Sequence, residues 1–323
     1  MKRYFHLLLA MTMTLAIVTA CSGKKEEQKQ LPIAKIACDA TFENILEQEI
    51  DVYEYIYPKE DVIAYYMDEN AAIDSIMAMG QCKNAIITRP LTDQEVSYLQ
   101  SHKKRVYQKK IAVDALALIV NPANPVEVLS KDEIAEILTG KVTRWDQVEP
   151  TKLGDINVIF DHQGSSAVKY MRDSVMGGKD FGPNVFAQKN NTDVFRAVAS
   201  NKNAIGIIGV SWITSDLSGR EKSVEEIAKA VEATDTTQLE FNSEVKVLRV
   251  SDVKNVNGTR PYQAYIFDGS YPLYRSVYMV STAPGGTTSH RFYSFVTGFQ
   301  GQKIIQMTGI LPATVTPRMV EVE

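Results

Sequence analysis

The stretch Asn157–Met176, NVIFDHQGSSAVKYMRDSVM, decides how this chain is read. An apolar run, Val158–Phe160, breaks at Asp161-His162-Gln163-Gly164. Ser165 and Ser166 then open a run with apolar residues at Val168, Met171 and Val175. Apolar residues three to four apart mark one face of a helix, so the pattern is strand, tight loop, helix start. Unpaired backbone N–H groups and the positive end of a helix dipole meet two hydroxyls there, a setting suited to a small oxyanion. The same residues equally suit a serine N-cap on an ordinary α/β crossover. The segment by itself does not separate the two readings.

Strand-like and helix-like patterns alternate on both sides of it, which argues for α/β layering. Ala34–Ala37 reads as a strand, and a helical run with Phe42, Ile45, Leu46 and Ile50 follows Thr41. Val62–Tyr66 and Ala85–Ile87 are further strands, Asp68-Glu69-Asn70 leads into a helix, and Thr92 with Glu95 forms a capping box. Ile111–Val120, IAVDALALIV, is nearly continuous apolar, as in a strand buried on both faces, and Asn121-Pro122 stops it. Ser130 and Glu133 make a second capping box, Ala204–Gly209 a buried strand, Leu273–Val280 a late strand, and Ser289–Met307 one or two closing helices. The polar, acidic stretch Ser215–Asn242, with one amphipathic helix around Val224–Val231, reads as a surface excursion. Ligands of open α/β sheets gather at the carboxyl ends of strands. That makes Thr41, Asn70, Arg89 with Thr92, and Ser165 with Ser166 the candidate contacts, each of which could also be a structural cap.

The N-terminus carries an address. Lys2 and Arg3 precede an apolar run, Tyr4–Ala20, that ends Val18-Thr19-Ala20-Cys21. Residues 1–20 therefore read as a secretory signal. The cysteine after small residues resembles the bacterial lipobox, which implies cleavage before Cys21 and lipidation of its thiol. Residues 21–30 are charged, lack large apolar side chains and read as a solvated tether. The run Lys24-Lys25-Glu26-Glu27 resembles the surface-export signal of some Bacteroidetes lipoproteins. The expected place is the periplasmic side of the cell envelope or the cell surface, held to the membrane by the lipid. In an exported chain Cys38 and Cys82 either form the one pairing open to them or remain two buried free thiols.

Composition narrows the function. About three hundred residues beyond the signal suffice for two domains with real cores. A net charge of -4 argues against a nucleic-acid surface. No other apolar run reaches membrane-spanning length. His6, His102, His162 and His290 are scattered, so no metal-ligand spacing exists and no cofactor is expected. Gly164-Ser165-Ser166 lacks nucleophile-elbow spacing and no histidine has an evident role as base, so no catalytic residue is assigned and an enzyme is not expected.

Five motifs, in order, give the chain a resemblance. They are Ala40-Thr41-Phe42, Ala115–Pro122 (ALALIVNP), Ile137–Trp145 (ILTGKVTRW), Ala204–Val210 (AIGIIGV) and Gly301–Pro312 (GQKIIQMTGILP). Together the chain resembles the PstS-type phosphate-binding proteins, the solute receptors of phosphate ABC transporters, and within them the lipoproteins of Bacteroidetes. The resemblance implies a two-lobed periplasmic-binding-protein fold of the second type, α/β with mixed sheets and a two-strand hinge. Lobe I would take residues 31–112 plus about 265–323, and lobe II about 113–264. The lobes would close over the ligand by hinge motion.

Carried across residue by residue, the resemblance implies that Thr41 and Ser165 contact phosphate. The threonine of the family's second-lobe loop is missing from Gly164-Ser165-Ser166-Ala167, where Ser166 stands one place earlier. Asp161 stands where the family has an arginine, Arg89 where it has an aspartate, and Asp68-Glu69-Asn70 replaces a glycine-serine loop. The implied arrangement is an exchange between lobes. Arg89 would give the bidentate hydrogen bonds, and Asp161 would accept the proton of monohydrogen phosphate and so reject sulfate. The implied partners are inorganic phosphate or a related oxyanion, and a membrane permease of an ABC transporter. The alternatives are a receptor for another oxyanion and a non-transport phosphate sensor or surface lipoprotein on the same fold.

Overall fold

A computed structural model describes residues 32–214, 224–225, 241–254 and 256–314. The expectations for the signal at residues 1–20, for Cys21 and the 21–30 tether, and for nearly all of the 215–242 excursion lie outside the described residues. The architecture below is that of the chain from Ile33 onward.

Among the described residues, a mixed sheet of ten strands organises the fold. Strands β1 (Ile33–Asp39), β2 (Asp61–Met67) and β3 (Asn84–Ile87) run parallel in the order β2-β1-β3. The connecting helices, Glu43–Ile56 and Glu69–Met77, turn Ile45, Leu46, Ile50 and Tyr53, and Ala72, Ile73 and Ile76, onto the sheet. After the capped helix Asp93–Ser101 comes β4 (Tyr107–Val120), which begins earlier than its apolar run because its first residues, with Gln108, Lys109 and Lys110 exposed, already pair with β11. Further along lie β5 (Val128–Ser130), β6 (Asn157–Phe160), β7 (Val185–Ala187) and β8 (Ala204–Gly209). The chain continues through β9 (Lys246–Val247), β10 (Arg249–Ser251), β11 (Tyr274–Ser281) and β12 (Leu311–Pro312).

Strand β4 joins two halves of the sheet. Up to Ala115 it pairs antiparallel with β11, and from Leu116 onward it pairs antiparallel with β8. Strands β8, β6 and β7 then complete the second half in parallel. This is why IAVDALALIV is almost wholly apolar: Ile111 to Val120 is buried apart from a half-buried Val113, with Asp114 its one charge. The two capping boxes expected from sequence are present, Thr92 with Glu95 and Ser130 with Glu133. The closing segment is two helices, Thr288–Val296 and Phe299–Met307.

Local chemistry holds the second half in register. Trp145 is fully buried and its indole Nε1 donates to the Asn203 carbonyl at 2.9 Å, tying the ILTGKVTRW segment to the start of β8. Gly140 ends its helix at φ +74, and a Cβ there would press on Pro183 Cδ at 3.1 Å and Gly182 Cα at 3.2 Å.

Cys38 and Cys82 are free thiols, so of the two open readings the bridge does not form. The parallel register explains it. Ile86 lies beside Cys38 on the neighbouring strand, and Cys82 precedes Ile86 by four residues, about 13 Å of extended chain. The thiols also face different clusters, Cys38 among Ala34, Ile36 and Phe42, Cys82 among Ala72, Ile73 and Ile76. A disulfide tolerates no more than about 7 Å between Cα atoms.

Candidate functional site

The carboxyl ends of β1, β2 and β6, the middle of β4 and the start of β11 converge where β4 changes partner, the position at which sheets of this kind hold ligands. Asp114 and Arg275 stand directly opposite each other on β4 and β11, one pair before the switch. Their side chains are almost fully buried, 1% and 4% exposed. Arg275 donates Nε and Nη2 to the same oxygen of Asp114, at 3.0 and 2.9 Å. Its Nη1 donates to Ser166 Oγ at 2.7 Å, and its guanidinium lies 5.0 Å from the centroid of the Phe42 ring. A charged residue in the middle of a buried strand needs such a partner. The lone Asp114 of IAVDALALIV was the sequence signal for it, whereas nothing in PLYRSVYMV marks Arg275 from its neighbours.

The β1 loop faces this pair. Asp39 ends β1 and is wholly buried, and its Oδ1 accepts from the Thr41 backbone N–H at 2.9 Å. That bond caps a single 3-10 turn, Ala40–Phe42, which turns the Thr41 side chain inward. Thr41 Oγ1 lies 3.4 Å from Ser166 Oγ across the cleft. More contacts join the two halves here. Trp212 Nε1 donates to the Thr41 carbonyl at 2.9 Å, Asn44 and Ser211 exchange two hydrogen bonds, and Asp68 Oδ1 meets His162 Nε2 at 2.9 Å. Gly164 leaves room for that contact, because a Cβ would run into the Asp68 carboxylate and displace it.

The β6 loop is as its sequence reads, with a shorter helix. Ser165 is the N-cap, accepting from the Val168 N–H at 3.2 Å, and the helix Ser166–Tyr170 passes into a π turn at Met171–Val175. Ser165 is thus the structural cap and Ser166 the hydroxyl presented to Arg275 and Thr41. Asp161 is buried, 1% exposed, with neither carboxylate oxygen in a hydrogen bond, and His162 Nδ1 lies 3.4 Å from its Oδ2.

The expected exchange of Arg89 and Asp161 does not form. Arg89 is 38% exposed and makes a two-pronged pair with Glu95, 2.8 Å on each prong. Glu95 is the capping-box carboxylate six residues on, and its pKa is held down to about 2 by Arg89. A local partner already in place wins over one on the far side of a cleft. Asn70 is exposed, and its neighbour Glu69 is the residue turned inward, accepting from the Thr88 backbone at 2.6 Å. Of the residues expected at the site, Thr41, Asp161, Ser165 and Ser166 are brought together, Arg89 and Asn70 are not, and Asp39, Asp114 and Arg275 are added.

Electrostatics distinguishes four of the ionisable groups around the cleft. Burial pushes the Asp39 and Asp114 carboxyls up, and the Arg275 charge opposes it at both. At Asp161 burial also pushes upward, but His162 and the Ser165 hydroxyl together outweigh it and hold the pKa below the ordinary value. His162 is raised, chiefly by Asp161 and further by Asp68 and Asp39. The arrangement offers one guanidinium with spare N–H hydrogens, two hydroxyls and buried carboxylate acceptors. It binds and orients, and among the described residues no cluster of side chains could hold a metal ion.

Comparison with known proteins agrees. Residues 23–299 match the family model of the PBP superfamily domain. A phosphate-binding protein PstS of Pseudomonas aeruginosa is 22% identical over 334 aligned positions, covering 95% of this chain and 94% of that one. A Clostridium perfringens protein solved with bound phosphate shares 20% identity at a TM-score of 0.67, covering 87% of this chain and 100% of that one. An ABC-type phosphate transport receptor from Vibrio cholerae shares 20% at a TM-score of 0.61, with 87% and 99% covered. With both halves of the sheet inside the matched region, the chain belongs to the PBP superfamily.

Proposed function

We propose that this chain is an exported receptor that captures inorganic phosphate between its two halves and delivers it to an ABC transporter. One observation carries the reading. Arg275, locked in place by Asp114, donates Nη1 to the Ser166 hydroxyl, which lies 3.4 Å from the Thr41 hydroxyl of the opposite wall. An oxyanion between those walls would take the Nη1 hydrogen bond that Ser166 now accepts and would join both hydroxyls. The relatives and structural neighbours, several named as phosphate-binding proteins, support the same ligand. No covalent step is involved, since selectivity in such a site comes from counted donors and acceptors. The signal-like residues 1–20, Cys21 and the charged tether support a lipid-anchored form facing the periplasm or the cell surface. A lobe boundary near 113 is supported by β4, which exchanges β11 for β8 after Ala115.

Titration calorimetry of the purified chain tests the proposal. Phosphate is expected to bind tightly and sulfate weakly, and Arg275→Met to abolish phosphate binding. Absence of phosphate heat in the wild type would overturn it. A receptor for another protonated oxyanion is the second reading, favoured by the carboxylates lining the cleft, and arsenate in the same titration distinguishes shape from identity.

A further inference from the structure

The cleft is richer in carboxylates than a dianion tolerates. Asp114 neutralises Arg275, and among the described residues with contacts in the cleft His162 is the other group able to carry positive charge. Two further carboxylates remain with open acceptors. Asp39 uses Oδ1 for the Thr41 N–H, and its Oδ2 makes no hydrogen bond of good geometry, with the Ser166 and Thr41 hydroxyls acting on its carboxyl. Asp161 has no hydrogen bond of good geometry at either oxygen, its contact being the His162 ring, with Nδ1 3.4 Å from Oδ2. Both side chains are at least nine-tenths buried, so water does not solvate these oxygens, and a further donor would be favourable there.

We propose that this site takes phosphate as the monoanion with two hydrogens, with Asp39 and Asp161 as two separate proton acceptors. The inference rests on the phosphate reading above. Its logic is a count. Monohydrogen phosphate brings one hydrogen, so one of the two carboxylates would face a bare anionic oxygen in a poorly solvated site. Dihydrogen phosphate brings one hydrogen for each, and its other oxygens face Arg275, Ser166 and Thr41. Sulfate brings none and is rejected twice. Asp39 is therefore a specificity residue that stands outside the loop motifs used to identify the fold.

Other ionisable groups lie around the cleft. They are Asp68 and Glu69 after β2, Asp114 on β4, His162 after β6, Tyr170 beyond it and Arg275 on β11. Loss of the His162 charge with rising pH would weaken any anion, so proton counting, not affinity alone, decides the matter.

The experiment is phosphate calorimetry on the purified chain, one pH unit above the second ionisation of phosphate, in two buffers of different ionisation enthalpy, with His162→Gln run alongside. The proposal expects about one proton taken up per phosphate bound, in wild type and in His162→Gln. Affinity for total phosphate should fall about tenfold per pH unit on the alkaline side. Asp39→Asn and Asp161→Asn, which turn an acceptor into a donor, should each flatten that fall. Tight binding without proton uptake in the wild type would overturn the inference and leave the phosphate reading standing. No phosphate binding at either acid or alkaline pH would overturn both.

Discussion

Replacing Arg275 by Met separates the structural from the functional work of the central pair. The substitution removes three hydrogen bonds of 2.7 to 3.0 Å and leaves Asp114 with two open oxygens in a site where it is 1% exposed. Breaking one side of a buried ion pair costs about 3–5 kcal/mol, because the remaining charge is stranded. For a chain of this size that lowers the melting temperature by on the order of 10 °C. Adding Asp114→Leu removes the stranded charge. The double variant should therefore regain most of the loss, a coupling of about 3 kcal/mol, since apolar replacement of a buried pair is often neutral. Both variants should lose phosphate binding. The sign with pH is also set. Without the cation, burial raises the Asp114 pKa further, so the single variant keeps more protons folded than unfolded. Its deficit should shrink as pH falls through the carboxylate range and persist at neutral pH. Denaturant unfolding of the four members of the cycle measures this. A single variant costing under about 1 kcal/mol, or losses that simply add, would refute the reasoning.

Other consequences are as direct. Glu49 lies buried on the helix Glu43–Ile56 with both oxygens unpartnered, and burial pushes its pKa well up. The fold thus holds a proton that the unfolded chain releases, so stability falls as pH rises from the ordinary glutamate range toward neutral; Glu49→Gln should flatten that slope in denaturant melts, and an unchanged slope would discard the assignment. Gly164→Ala should push the Asp68 carboxylate away from His162 and weaken phosphate binding several-fold by calorimetry, while Asp68→Ala in the same background should relieve the clash and leave the second substitution without further effect. Arg89→Ala should leave phosphate affinity unchanged and alter stability by no more than about 1 kcal/mol, since its pair with Glu95 is substantially exposed; a large loss of affinity would restore Arg89 to the site.

Much of the fold was legible because it is locally encoded. The apolar run of β4, the capping residues Thr92 and Ser130, and the strand-loop-helix form of Asn157–Met176 are all consequences of neighbours in sequence. Half of the site was legible for the same reason, as strand-end loops carry Thr41, Asp161, Ser165 and Ser166. Its charge balance was not. Arg275 reaches Asp114 only because β11 and β4 pair across a long connection, and no local spacing announces that register. Arg89 misled for a converse reason. Glu95 was recognisable as a cap, and the same carboxylate accepts from the Thr92 backbone and from Arg89, which leaves that arginine nothing to carry across the cleft. The pair of cysteines posed the same difficulty, since only the strand register shows that they sit on different faces.

A crystal structure of the chain grown with phosphate tests the central claim most directly. The account predicts the anion at the point where β4 changes partner, one oxygen on Arg275 Nη1, the Ser166 and Thr41 hydroxyls on either side, and Asp39 and Asp161 against its hydrogens. Phosphate bound at Arg89, or a cleft where Arg275 turns away from the anion, would contradict it.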